Sequence, residues 1–225
     1  MSAAAQGYEV YRTPRGQEWL LRIGDPRTPA ILFVPPLLEE LNRTRALLAA
    51  VMRRLAAEGH GCWLPDLNGT GESQIALEEV ALADWRDCVA AAAEHAARAS
   101  GKPPVIASLR GGALLDDAAT GGCWWRFAPA TGRALSRDLD RASLAGGADW
   151  AGYPASPALR EALAEAEAVV VTPLRTVRLE TDAGAADHKV AGPALWRRSE
   201  PGMSDALAAA LAADLNQWSR ACAAS

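Results

Sequence analysis

The stretch Ile106-Ala-Ser-Leu-Arg-Gly-Gly-Ala-Leu-Leu115 has an apolar strand, a sharp turn of small residues and a helix start, the layout of a nucleophile elbow. Where such an elbow holds a serine or cysteine, this one holds an arginine. Aligned to Gly-x-Ser-x-Gly, Ser108 and Gly112 take the glycine positions and put Arg110 at the nucleophile; a slip of one residue puts Leu109 there. Neither register supplies a nucleophile. Ser108 stands two residues early, on the strand side, where its hydroxyl is placed for a local bond.

Working outward, Pro104-Val-Ile-Ala107 leads into the elbow as a buried strand, and Ala30-Ile-Leu-Phe-Val34 is a second unbroken apolar run, ended by Pro35-Pro36. Such runs suit strands covered on both faces. Asn42 to Gly59 carries Leu47, Leu48, Val51, Met52 and Leu55 at helical spacing, with Gly59 as C-cap. His60 to Asp66 reads as a strand, Asn68-Gly-Thr-Gly71 as a turn and Ala83 to Ser100 as a helix. This alternation predicts an α/β fold with a mostly parallel sheet between two helical layers. Tyr8–Arg12 and Gln17–Ile23, joined by Thr-Pro-Arg-Gly, predict an antiparallel hairpin at its start.

Beyond the elbow, a helix is expected from Leu115 to about Thr120, then a strand over Cys123–Phe127. Pro129 to Pro157 is richer in Gly, Asp and Arg, with a helical piece over Arg133–Ser143, and reads as an arm or lid over the cleft. Leu159–Ala168 and Ser204–Trp218 read as helices, Thr176–Glu180 and Lys189–Ala191 as strands. The short link between those two strands predicts an antiparallel terminal hairpin. Residues 1–225 thus form one domain.

With 27 acidic and 23 scattered basic residues, net charge −4, the chain offers no nucleic-acid or anionic-membrane surface. Cys62, Cys88, Cys123 and Cys222 form no metal spacing and read as buried free thiols in a reducing compartment. No cofactor motif or metal site is evident. The start lacks a basic region followed by an apolar one, and no segment has the length of a membrane span, so a soluble cytoplasmic protein is expected. Nothing in the sequence sets the oligomeric state.

Val34-Pro-Pro-Leu and Leu64-Pro-Asp-Leu-Asn-Gly-Thr-Gly-Glu-Ser73 resemble, in their order, α/β hydrolases. Asp66 in the second stretch accepts turn N–H groups rather than acting as an acid. Of the histidines, His60 opens a strand, His95 lies on a helix and His188 enters the last strand, while the loop after it, Gly192 to Glu200, contains none. A serine-hydrolase triad is therefore absent. What remains is Glu39, Glu40, Asn42, Arg43 and Arg45 after Pro35-Pro36, placed beside Arg110 at the carboxyl edge of the sheet. Arg110 either pairs with Glu39 or Glu40 as structural filling of the old site, or offers a planar fork to an anionic ligand. Trp124, Trp125, Trp150 and Trp196 flank the cleft, where indoles either pack or stack on a sugar-like ring.

The chain resembles the exosortase A system-associated hydrolase 2 group of α/β-hydrolase-like proteins. The resemblance rests on Pro35–Arg45, Asp66–Ser73, Ala83-Asp-Trp85, Ser108–Leu115, Pro129–Leu135, Ala151–Pro157 and Val190–Trp196. In that group the elbow reads Gly-Leu-Arg-Leu-Gly, which favours Arg110 at the nucleophile position. Ser108, Gly111, Leu38, Leu41 and Ala194 depart from the group's pattern. The group's setting is bacterial exopolysaccharide and protein-sorting loci. With the triad absent, the reading is a ligand-binding or accessory protein, with Arg110, Glu40, Asn42, Arg45 and Trp196 around a small anionic or sugar-like ligand; its place in cell-envelope polymer handling is what the resemblance implies. The alternative is a hydrolase or transferase without a side-chain nucleophile, in which Glu39 or Glu40 activates water and Arg110 stabilises developing negative charge. A third reading is a protein–protein module using the tryptophan-bearing arm.

Overall fold

The computed structural model describes residues 5–143 and 150–224. An eight-stranded sheet in the order β1-β2-β4-β3-β5-β6-β7-β8 forms the middle layer. β1 (Gln6–Thr13) and β2 (Gly16–Ile23) are the antiparallel hairpin expected from the sequence, and β2 also runs antiparallel to β4 (Gly61–Pro65). From β4 onward every pairing is parallel: β3 (Ala30–Val34), β5 (Val105–Leu109), β6 (Cys123–Phe127), β7 (Leu174–Leu179) and β8 (His188–Val190).

β3 and β5 are buried along their whole length, which is why they read as unbroken apolar runs. Their alternate side chains feed two cores. Ile31 and Phe33 meet α1 (Glu39–Ala57) and α5 (Asp205–Ala223), while Leu32 and Val34 meet the side of α2 (Leu82–Ser100), α3 (Gly132–Ala142) and α4 (Pro157–Glu165). The apolar stripe of α1, from Leu47 to Leu55, is fully covered; each such leucine contributes roughly 1.5–3 kcal/mol by burial. The strand order reverses around β3, which lies between β4 and β5. In open α/β sheets the carboxyl ends flanking such a reversal are where ligands bind.

The terminal strands correct one expectation. β7 and β8 are neighbours, but they run parallel, with Val177 opposite His188 and Leu179 opposite Val190. The overlap is so short that the chain returns only about 10 Å along the strand axis, at roughly 3.3 Å per residue. The link spans that without a helix. It folds back over Arg178, whose Nε donates to the Ala185 carbonyl and whose Nη1 pairs with Asp182 at 2.8 Å.

A second correction follows the elbow. No regular helix runs to Thr120; two 3-10 turns, Arg110–Leu114 and Asp116–Ala118, lead to β6 instead. Gly111-Gly112 opens the segment with the poorest helix formers short of proline. Asp116 is held by Arg126 at 2.7 Å and by the Ser108 hydroxyl at 2.7 Å, and Asp117 by Arg86 at 2.6 Å. Ser108 is therefore a buried structural residue, bonded locally.

Smaller shifts occur elsewhere. α1 starts at Glu39, so the paired glutamates lie in its first turn, and α4 starts at Pro157 under a Ser156 cap. The arm comprises α3, the Trp150–Tyr153 bridge and the start of α4; its residues 144–149 lie outside the described residues. Cys62, Cys88 and Cys123 are buried free thiols and Cys222 is half-buried. No helix among the described residues is long and apolar enough to cross a membrane.

Candidate functional site

Three strands that lie side by side are each followed by a residue with positive φ: Leu38 (φ 53°) beyond Pro35-Pro36-Leu37 after β3, Arg110 (φ 52°) directly after β5 and Ala128 (φ 46°) directly after β6. Bulky residues rarely adopt this conformation, and strain of this kind costs about 1–3 kcal/mol per residue. Gly112 fixes the register of the elbow. A Cβ there would stand 2.5 Å from the Val34 carbonyl oxygen and 2.7 Å from that of Pro35, so the elbow packs backbone against backbone on the end of β3. Arg110 thus occupies the nucleophile position, and Leu109 is the last residue of β5.

The Arg110 guanidinium is held on every side. Its Nε and Nη2 donate to Glu40 Oε1 at 3.0 and 2.8 Å, and its Nη1 donates to the Ala128 carbonyl at 3.1 Å. The Trp196 ring covers one face, 4.6 Å from guanidinium carbon to ring centroid, and Phe127 meets Trp196 edge-on at 5.8 Å. Only a tenth of the Arg110 side chain is exposed. The turn after β5 is therefore closed by a buried ion pair.

Beside that pair lies a cavity of about 590 Å³, lined by Glu39, Glu40 and Arg43 of α1, by Leu135, Asp138, Leu139, Arg141 and Ala142 of the arm, and by Trp196 and Arg197. Its size falls in the usual range for small-molecule sites. Arg43 fastens one wall: it pairs with Glu39 at 3.0 Å and donates to the Trp196 carbonyl at 3.0 Å. Asp138 pairs with Arg141 at 3.1 Å. Glu40 turns Oε1 to Arg110, while Oε2 is buried from solvent and has no hydrogen-bond partner of good geometry among the described residues. Burial pushes its carboxyl above the ordinary value, against the pull of Arg110; Asp138 pushes the same way as burial, and the Gly111 N–H pulls down.

The residues singled out in the sequence divide clearly. Glu39, Glu40 and Trp196 meet at the cavity, with Arg110 directly behind them. Asn42 stands at the edge, donating to the Tyr153 hydroxyl of the arm at 2.7 Å. Burial and then Glu39 push that Tyr153 phenol up to about 12. Arg45 is exposed on α1, does not line the cavity, and its charge acts on Asp66 instead. Asp66 accepts the Glu72 N–H at 3.1 Å, the turn role read from its motif. The other cleft tryptophans are structural: Trp124 donates to the Asp116 carbonyl, Trp125 to Asp214 and Trp150 to Asp140.

No histidine reaches the elbow. His60 bonds Asn216, His95 bonds Glu9, and His188 opens β8 on the surface. Sequence reasoning missed Asp138, Arg141 and Arg197 as cavity residues. The signal for Asp138 was present, since Leu135, Asp138, Leu139 and Ala142 share one face of α3, but that this face meets α1 is a tertiary fact. Among the described residues, no group of three or more His, Cys, Asp or Glu could hold a metal ion.

No family model matches the chain, and no curated protein matches it. Solved structures do. A thermophilic esterase from Thermogutta terrifontis is 14% identical with a TM-score of 0.62, over 96% of this chain and 99% of its own. An esterase from Rhizomucor miehei is 13% identical with a TM-score of 0.61, over 98% and 84%. A Pyrococcus furiosus esterase is 12% identical with a TM-score of 0.57, over 78% and 70%. At these identities the likeness speaks for architecture only, and with the strand order above it shows an α/β-hydrolase fold whose elbow presents an arginine.

Proposed function

We propose that this protein is a ligand-binding or accessory protein on an α/β-hydrolase scaffold, and that it does no serine-hydrolase chemistry. One observation carries the reading: the strained residue of the elbow is Arg110, closed onto Glu40, the Ala128 carbonyl and Trp196, with a cavity beside it. The ligand is small and carries polar groups, since six of the ten residues lining the cavity are charged. Arg110 supports the site from behind, orienting Glu40 rather than touching the ligand. A place in bacterial exopolysaccharide handling or protein sorting rests on the sequence resemblance.

A second reading has one observation of its own. Glu40 lines the cavity, its Oε2 has no hydrogen-bond partner of good geometry among the described residues, and burial holds its carboxyl above the ordinary value. That suits a general acid or base of a hydrolase or transferase without a side-chain nucleophile. Glu39 is the weaker choice, because Arg43 already holds it.

One experiment addresses both readings. A fluorophosphonate probe is expected to leave the protein unlabelled, and p-nitrophenyl esters to turn over no faster than with a bulk-protein control. Stoichiometric labelling of Ser108 would overturn the binding reading. Ester turnover that Glu40→Gln abolishes, without any labelling, would establish the second.

A further inference from the structure

β1 is one edge of the sheet, far in strand order from the cavity, and its register with β2 decides which backbone groups face outward. The Gly24 N–H donates to the Ala5 carbonyl at 2.9 Å, which makes these two a hydrogen-bonded pair. Alternation along an antiparallel ladder then makes Gly7 with Arg22, Glu9 with Leu20, Tyr11 with Glu18 and Thr13 with Gly16 hydrogen-bonded pairs as well. The N–H and C=O groups of Gln6, Tyr8, Val10 and Arg12 therefore point away from β2, and nothing among the described residues bonds to them.

The side chains of the same four residues are exposed on one face of the hairpin, where Tyr8 stands opposite half-buried Leu21 and Val10 opposite exposed Trp19. On the other face Tyr11 and Leu20 enter the core on the side of α2. Soluble proteins guard sheet edges with short strands, proline, lysine or a bulge. The far edge, β8, is guarded in this way, being three residues long and carrying Lys189. β1 is not: it has eight residues, neither proline nor lysine, and a ladder with β2 that runs unbroken from Gln6 to Thr13.

We propose that this edge is a dimer interface, in which β1 pairs antiparallel with β1 of a second copy across a two-fold axis at Val10. Such an interface is self-complementary, each copy offering the same strand. With Val10 at the axis, the outward backbone groups of Tyr8, Val10 and Arg12 all find partners. Val10 meets Val10 of the second copy, and each Tyr8 ring meets the Arg12 guanidinium opposite, an aromatic face against a cation. An apolar row Trp19–Val10 then continues across the axis into the same row of the other copy. Neighbouring registers do less well. An axis at Glu9 sets two carboxylates opposite each other, and an axis at Tyr8 leaves Arg12 beyond the paired strand.

Sedimentation velocity on the full chain tests this. Over about a hundredfold range of concentration the protein is expected to pass from monomer to dimer by mass action. Val10→Lys and Val10→Glu, at an exposed position, are each expected to leave folding intact and to raise the dimer dissociation constant about five- to tenfold, because each sets like charges against one another at the axis. An equimolar mixture of the two variants is expected to recover dimer, since the charges at the axis are then opposite. Trp19→Ser, one strand further in, is expected to change the constant by less than about threefold.

A monomer at every concentration would overturn the proposal. So would a dimer indifferent to Val10→Lys and Val10→Glu, or a mixture of those variants no more dimeric than either alone. A dimer that Trp19→Ser removes while the Val10 variants keep it would place the contact on the face of the hairpin, and would overturn the edge pairing too.

Discussion

Replacing Arg110 with alanine is expected to destabilise the protein by about 3–5 kcal/mol at neutral pH, because it leaves the Glu40 carboxylate buried without its partner. The loss should depend on pH in a definite direction. Burial already pushes the Glu40 carboxyl above its ordinary value while Arg110 pulls it down, so removing Arg110 raises it further. A carboxyl raised in the folded state keeps its full contribution below the unfolded value and loses it as pH rises through the folded one. The penalty of Arg110→Ala should therefore be smallest near pH 4 and grow towards neutrality. Arg110→Lys should recover little, since an ammonium cannot serve Glu40 and the Ala128 carbonyl at once or lie flat under Trp196. Denaturant melts across pH 4–8 measure all of this, and a penalty that shrinks as pH rises would contradict it.

The second large effect is expected at Gly112. The Cβ of Gly112→Ala would meet the carbonyl oxygens of Val34 at 2.5 Å and Pro35 at 2.7 Å. Neither can yield without moving the end of β3. A loss of about 3 kcal/mol, or failure to fold, is expected. Gly111→Ala provides the contrast. Its nearest neighbour is the flexible end of Leu135 at 2.9 Å, with Leu37 next, and a loss of about 1 kcal/mol is expected. Equal and small effects at the two positions would show that the elbow does not pack on β3 as described.

Much of the architecture was legible because it rests on periodicity. Fully apolar β3 and β5, the stripe of α1 and the N-terminal hairpin each leave a local pattern, and their alternation gives the parallel sheet. The direction of β8 was misread because a short link usually means a hairpin. Here the paired overlap of β7 and β8 is so slight that coil alone can carry the chain back. The helix expected from Leu115 to about Thr120 gives way to short turns in which the Asp116 and Asp117 carboxylates are committed to Arg126, Ser108 and Arg86. Those partners lie on β6, β5 and α2, out of reach of local reasoning.

The site was half legible for a similar reason. That Glu39, Glu40 and Arg110 share the carboxyl edge follows from strand order. The structure decides between Glu39 and Glu40 by the first turn of α1, which sends Glu39 to Arg43 and Glu40 to Arg110. Arg45 lies five residues beyond Glu40 on α1, roughly 140° round the helix at about 100° per residue, and leaves the cavity for the neighbourhood of Asp66. Gly111 has a local sense: Leu135 and Leu37 crowd the position where a larger side chain would sit.

The elbow after β5 is closed by a direct Arg110–Glu40 pair. A double-mutant cycle on denaturant stability, using Arg110→Ala, Glu40→Gln and both together at pH 7, tests it most directly. The predicted result is strong non-additivity: the double mutant recovers about 1–3 kcal/mol of the summed single losses, because neither partner is then left charged and alone. Losses that add within about 0.5 kcal/mol would contradict the pair, and with it the reading of Arg110 as the structural occupant of the elbow.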